Sequence, residues 1–254
     1  MKPPSPDRWI VRPRPSPRAR LRLFCLPHAG GGASAFRGWA DALPPEVEVC
    51  PVQLPGRENR VAEPAFDRVP PLAQALADAV EPLLSLPFAL FGHSNGALIG
   101  FELARALRAR GRPGPVHLFA SGRRAPDLPS GRPPTHHLPD AEFLAELQEL
   151  GGIPPQVLEH PELMAVLLPT LRADVAIHET YEFREQPPLP CPVTAYGGLT
   201  DPKVSREQLQ AWGRHTGGPF TMRLFPGGHF YLQEERTAVL RVLSADLHAV
   251  LREL

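Results

Sequence analysis

The sequence predicts an α/β protein, with a mostly parallel central sheet, helices on both of its faces, and a helical insertion in the second half. Short apolar runs rich in β-formers recur at 21–26, 47–53, 88–92, 116–120, 192–196 and 220–225. Between several of them lie amphipathic patterns of helical period. Strands this apolar, alternating with helices, bury both faces of a sheet, which is the condition of parallel sheets.

The first helical pattern, 72–84, sets Leu72, Leu76, Ala79, Val80 and Leu83 on one side. The second, 97–109, sets Leu98, Phe101, Leu103 and Leu107 against arginines. The stretch 9–14 reads as an additional edge strand weakened by its prolines. From about 123 to 186 the alternation breaks. A helix capped by Asp140 carries Phe143, Leu144, Leu147 and Leu150, and a second helical run covers 162–179. The apolar residues of this insertion, among them Ile153, Leu158, Leu163, Val166, Leu167 and Leu171, either complete the core or line a channel beneath a lid. A chain of 254 residues with 43% hydrophobic content suits one domain, 1–254, that includes the insertion.

Composition narrows the function. The formal net charge is zero and no run of like charge occurs, so nucleic acid is not an expected partner. The 34 prolines are dispersed among apolar segments and read as rigid loops. Cys25, Cys50 and Cys191 lie far apart in apolar runs, as buried free thiols do. Neither a signal-peptide pattern nor a membrane-length apolar segment is seen, and the expected compartment is the cytoplasm.

The run 88–92 leads into Gly92-His93-Ser94-Asn95-Gly96 and then at once into a helical pattern. G-x-S-x-G acquires meaning in that context, because the serine must occupy a strained strand-to-helix turn where glycines leave room for neighbouring backbone. The helix start behind Ser94 also favours developing negative charge. A serine hydroxyl needs a base. His229 follows the run 220–225 through Pro226-Gly227-Gly228, whereas His28 and His93 suit structural hydrogen bonds and the pair His136 and His137 suits solvent. Asp201, in Gly197-Gly198-Leu199-Thr200-Asp201-Pro202, is by itself equally readable as a turn residue. The chain order serine, acid, histidine favours it as the orienting acid of an α/β-hydrolase triad. Oxyanion donors are expected from the backbone N–H groups of Ala29, in Pro27-His28-Ala29-Gly30-Gly31-Gly32, and of Asn95. The glycine loop matches neither phosphate-binding fingerprint, and no H-E-x-x-H or comparable metal spacing occurs. Neither a metal nor a cofactor is expected.

Four elements together resemble the type II thioesterases that accompany polyketide synthases and non-ribosomal peptide synthetases. They are Leu26-Pro27-His28-Ala29-Gly30-Gly31, Gln53-Leu54-Pro55-Gly56-Arg57-Glu58, Gly92-His93-Ser94-Asn95-Gly96, and Asp201 with Gly227-Gly228-His229-Phe230. The second discriminates most, since the serine elbow is common to many esterases and peptidases. The resemblance implies an α/β-hydrolase fold and hydrolysis of acyl thioesters on the phosphopantetheine arm of an acyl or peptidyl carrier protein, removing stalled or wrong chains. It implies Ser94, Asp201 and His229 as the triad, Ala29 and Asn95 as oxyanion donors, and the insertion as a lid. One departure is Asn95, where the family usually has methionine. Phe230 is a candidate for the acyl channel or the core, Arg57 and Glu58 for an ion pair stiffening the Pro-Gly turn, and Arg123 and Arg124 for contact with an acidic carrier. A small-ester hydrolase or peptidase, an acyltransferase of the same fold, and a non-catalytic synthase partner are the rival readings.

Overall fold

The computed structural model describes residues 6–131, 133–149 and 160–254. Leu150, Ile153 and Leu158 of the predicted insertion lie outside the described residues. Among the described residues, one sheet is built from β1 (Leu21–Leu26), β2 (Val47–Pro51), β3 (Phe88–His93), β4 (His117–Ser121), β5 (Val193–Gly198) and β6 (Phe220–Phe225). Every pairing is parallel, in the order β2-β1-β3-β4-β5-β6.

Each predicted strand is present, several with bounds moved by a residue or two. The region 9–14 differs. Pro6–Trp9 forms a helical turn, and Ile10 makes a single antiparallel bridge to Val52. Pro13, lacking an N–H, cannot extend that ladder.

Side chains alternate between the two faces, as a period of two requires. Phe24, Leu26, Leu90 and Leu118 pack on one side with α1 (Val69–Val80) and α2 (Asn95–Ala109). Leu21, Leu23, Cys25, Phe91 and Phe119 pack on the other with the terminal helix, which contributes Val239, Leu243, Leu247 and Val250. Both faces are therefore closed. Cys25, Cys50 and Cys191 are buried free thiols within these cores, and burial pushes each up, Cys191 to about 11 and Cys50 to about 12.

The insertion holds α3 (Asp140–Glu149) and α4 (Pro161–Glu179), with the terminal helix, α5, at Arg236–Glu253. It has its own apolar cluster of Phe143, Leu147, Met164 and Val175, while Ile177 joins the main core. Leu163 and Val166 are exposed. Leu171 comes so close to the backbone of Gly30 that a side-chain carbon there would stand 3.0 Å from its Cδ2.

The strand order decides where chemistry can sit. From β1 the chain goes to one neighbour, β2, and then to the other, β3. The carboxyl ends of β1 and β3 therefore flank a topological switch point, where open parallel sheets form a crevice.

Candidate active site

Ser94 occupies that crevice, between the end of β3 and the start of α2, with φ 54° and ψ −115°. For a non-glycine residue this conformation costs on the order of 1–3 kcal/mol and persists only where its surroundings impose it. Its neighbours do so. A side-chain carbon on Gly92 would stand 2.1 Å from the Gly96 carbonyl oxygen, and one on Gly96 would stand 2.1 Å from that of Leu26. The Ser94 N–H also donates to the Ser121 carbonyl at 2.8 Å, holding the elbow to the end of β4.

His229 reaches the serine from the loop after β6. Its Nε2 lies 3.1 Å from Ser94 Oγ, and its Nδ1 lies 2.8 Å from Asp201 Oδ2. A carboxylate only accepts, so it fixes the proton on Nδ1 and leaves the Nε2 lone pair facing the hydroxyl. The other oxygen, Oδ1, accepts the Lys203 N–H at 2.8 Å, which orients the carboxylate. Three residues separated by long stretches of chain thus form one hydrogen-bonded line.

Ala29, Ser94, Asn95, His229 and Phe230 all border one cavity of about 430 Å³. Its other walls include Leu147, Leu171 and Val175 from the insertion, together with Pro202, Lys203 and Val204. Arg123, Arg124, Ser130 and His178 also border it, so polar and apolar walls share the cavity about equally, and its concave shape beside the serine suits a small organic ligand. A larger depression of about 540 Å³, lined by Val11, Phe36 and Gln53 among others, contains none of these chemical groups.

His93 makes the structural contacts expected of it. Its Nδ1 lies 2.9 Å from Ser121 Oγ, which in turn meets the Tyr231 hydroxyl. Burial, with the charges of His229 and His28 adding to it, drives His93 well below the usual histidine range. His28 departs from expectation. Its ring lies edge-on to Phe230 and His93 and borders the cavity, and burial lowers it to about 4, so it is neutral at pH 7. His136, expected in solvent, is half-buried with Nδ1 2.7 Å from Glu179 Oε2.

Arg57 and Glu58 do not pair with each other. The Glu58 carboxylate accepts from Ser34, whereas Arg57 forks onto Asp174 of α4, Nη1 to Oδ2 at 2.8 Å and Nη2 to Oδ1 at 2.9 Å. Both partners are almost fully buried. Asp174 Oδ2 also accepts the Gly30 N–H at 2.6 Å, and the Asp174 carbonyl accepts from Asn95 Nδ2 at 2.7 Å. Arg57 Nη1 reaches the Gly31 carbonyl, and Thr170 Oγ1 donates to the Gly56 carbonyl. Asp174, which the sequence reading did not single out, therefore joins the glycine loop, the Gln53–Glu58 segment and the serine elbow to the insertion helix.

Arg123, expected at the surface, is 7% exposed and borders the cavity. It begins the insertion directly beyond the end of β4, where the walls of two cavities meet.

A doubly covered parallel sheet with a serine elbow at its switch point, and an acid and a histidine at later strand ends, defines the α/β-hydrolase class. Residues 21–247 match the thioesterase domain, and the chain belongs to that family. It is 44% identical over 245 residues to the gramicidin S biosynthesis protein GrsT of Aneurinibacillus migulanus, covering 96% of each chain. Among solved structures it is similar to the RedJ thioesterase from the prodiginine biosynthetic pathway of Streptomyces coelicolor, at 43% identity and TM-score 0.84, covering 92% of this chain and 94% of that one. The type II thioesterase BorB from the borrelidin biosynthetic cluster gives 40% identity and TM-score 0.84, covering 95% and 97%.

Proposed function

We propose that this chain is a type II thioesterase, which hydrolyses acyl groups from the phosphopantetheine arm of acyl or peptidyl carrier proteins and clears stalled or wrong chains from a polyketide or non-ribosomal peptide assembly line. The observation that carries the reading is the hydrogen-bonded line from Asp201 through His229 to Ser94 at the wall of a cavity. The thioesterases it is similar to support the substrate class.

In the mechanism, Ser94 Oγ attacks the thioester carbonyl as its proton passes to His229 Nε2. The N–H groups of Ala29 and Asn95 hold the oxyanion, and Asp201 stabilises the imidazolium. The C–S bond then breaks, the thiol leaves with the proton from His229, and an acyl-serine remains. Water deprotonated by His229 releases the acid and restores the serine. Phe230 and the apolar insertion residues surround the acyl chain. The insertion, about 123–186, acts as a lid on a single catalytic domain that works in the cytoplasm beside its synthase. Among the described residues no helix is long and apolar enough to cross a membrane.

The test is hydrolysis of acetyl groups loaded on a carrier protein, compared with acetyl-pantetheine and an oxygen ester. The expected result is faster turnover of the carrier-bound thioester, abolished in Ser94→Ala while the circular dichroism spectrum is kept. Turnover surviving in that variant overturns the nucleophile. Preference for the oxygen ester overturns the substrate class.

A further inference from the structure

We propose that Arg123 is a carboxylate-binding residue of the catalytic cavity, so that the acyl chains this enzyme is built to accept include those ending in a carboxylate. The inference rests on the thioesterase reading of Ser94 and specifies its substrate.

A buried guanidinium is ordinarily paired, since an unpaired charge away from water is strongly destabilising. Arg123 is 7% exposed, its Nε is buried without a partner, and no ion pair or hydrogen bond of its side chain is found among the described residues. The acids that share a cavity wall with it, and Glu102 bonded to Tyr181 of that wall, are engaged elsewhere. Asp127 holds Arg214 and His215, Glu179 holds Thr135 and His136, and Glu102 holds Arg105 and Tyr181. Arg124 stands beside it and adds like charge. Burial and Arg124 together lower Arg123 to about 9, which still leaves it charged at pH 7. His178 presents a second buried nitrogen without a partner among the described residues, Nδ1.

Position supplies the direction. Arg123, Arg124, Ser130 and His178 border both the catalytic cavity and an adjoining one of about 180 Å³. That second cavity touches neither Ser94 nor His229, so the wall shared by the two cavities is made of residues other than the nucleophile and its base. A chain esterified at Ser94 and extending toward that wall brings its far end to two guanidinium groups. A carboxylate there gains charge-assisted hydrogen bonds and relieves the unpaired charge. The phosphate of the pantetheine arm joins a serine on the outside of the carrier protein and calls for a surface cation, which Arg123 is not.

The experiment compares succinyl-pantetheine with butyryl-pantetheine, chains of equal length that differ in the terminal carboxylate, and repeats both as phosphopantetheine thioesters. The expected result is a wild-type kcat/KM that favours succinyl. In Arg123→Met the succinyl-to-butyryl ratio falls about tenfold or more, the discrimination that a hydrogen bond to a charged group provides. The same substitution raises the unfolding midpoint, because it removes an unpaired buried charge. An unchanged ratio with a lowered midpoint overturns the proposal in favour of a structural role. An effect of Arg123→Met that follows the phosphate, whatever the acyl group, overturns the carboxylate assignment. Should the wild type hydrolyse none of these, the thioesterase reading is decided by the carrier-bound acetyl test alone, and the binding site is judged separately by calorimetry of succinyl-pantetheine with the Ser94→Ala protein. Binding that disappears when Arg123→Met is added supports the site, and binding that persists overturns it.

Discussion

Arg57 and Asp174 form a buried, two-pronged ion pair that bridges the segment after β2 to the insertion helix α4, and the same carboxylate holds the Gly30 N–H of the loop after β1. The pair sets the distance between the glycine loop and the helix that covers it. Removing one member leaves the other charged and buried, which costs about 3–5 kcal/mol. Arg57→Met is therefore expected to lower the urea midpoint sharply and to reduce kcat by loosening the glycine loop. In the double variant Arg57→Met/Asp174→Leu most of the midpoint returns, whereas kcat does not, since Gly30 has lost its acceptor. A midpoint in the double variant no higher than in the single one would show that the charges stabilise the fold by more than their mutual pairing.

Asn95 extends the same linkage to the nucleophile. Its Nδ2 donates to the Asp174 carbonyl, so the first residue of α2 is bonded to α4. Asn95→Met removes that bond, at about 0.5–1.5 kcal/mol, since the Asp174 carbonyl keeps its place in the backbone ladder of α4. The backbone N–H that would stabilise the oxyanion is retained. The expected outcome is faster amide exchange over Pro161–Glu179 with fluorophosphonate labelling of Ser94 preserved. Unaltered exchange would show that α4 is held by its other contacts alone.

Asp201 bears on which nitrogen of His229 carries the proton. With Asp201→Asn the amide can donate to Nδ1, so the tautomer with its proton on Nε2 is favoured and the base faces Ser94 with a hydrogen in place of a lone pair. The loss in kcat is expected to be on the order of 10³–10⁴-fold with KM little altered. Steady-state hydrolysis of an acyl-pantetheine measures it, and a loss under tenfold would remove Asp201 from the catalytic line.

The sheet was legible because its evidence is local. Runs such as 88–92 are apolar throughout, and their ends are marked by glycine or proline. The meeting of Ser94, Asp201 and His229 was legible for the same reason, each lying in a short motif just past a strand. Asp174 had no such motif, and its partners Arg57 and Gly30 stand 117 and 144 positions away. The one available signal was its place among Leu171, Val175 and His178, a charge on the inward stripe of an amphipathic helix. Arg57 beside Glu58 invited a local pairing that the geometry refuses. The glutamate turns back to Ser34, while the arginine is drawn beneath α4. Neighbouring charges in a tight turn point in different directions, and sequence adjacency carries no information about that.

Buried histidines set the pH dependence of stability. Burial lowers His28 and His117 to about 4 and His178 to about 3, and drives His93 well below the ordinary range. In the unfolded chain the same groups titrate near about 6.5. Between about pH 6.5 and 4 the unfolded state therefore binds protons that the folded state refuses, so stability is complete above that window and falls as pH drops through it. Each such histidine contributes a slope approaching about 1.4 kcal/mol per pH unit within the window. The carboxylates held low by partners, Asp127 and Glu179, lose their contribution only at more acid pH and do not mask the effect. Urea midpoints between pH 7 and 5 are expected to decline steeply. His117, which contacts Thr194 and Phe119 away from the catalytic cavity, isolates one proton, and His117→Gln is expected to make the decline shallower by about one group's worth. A midpoint that stays level from pH 7 to 5 would mean that these histidines take up protons in the folded state, and that the polar line behind Ser94 is wetter than its burial implies.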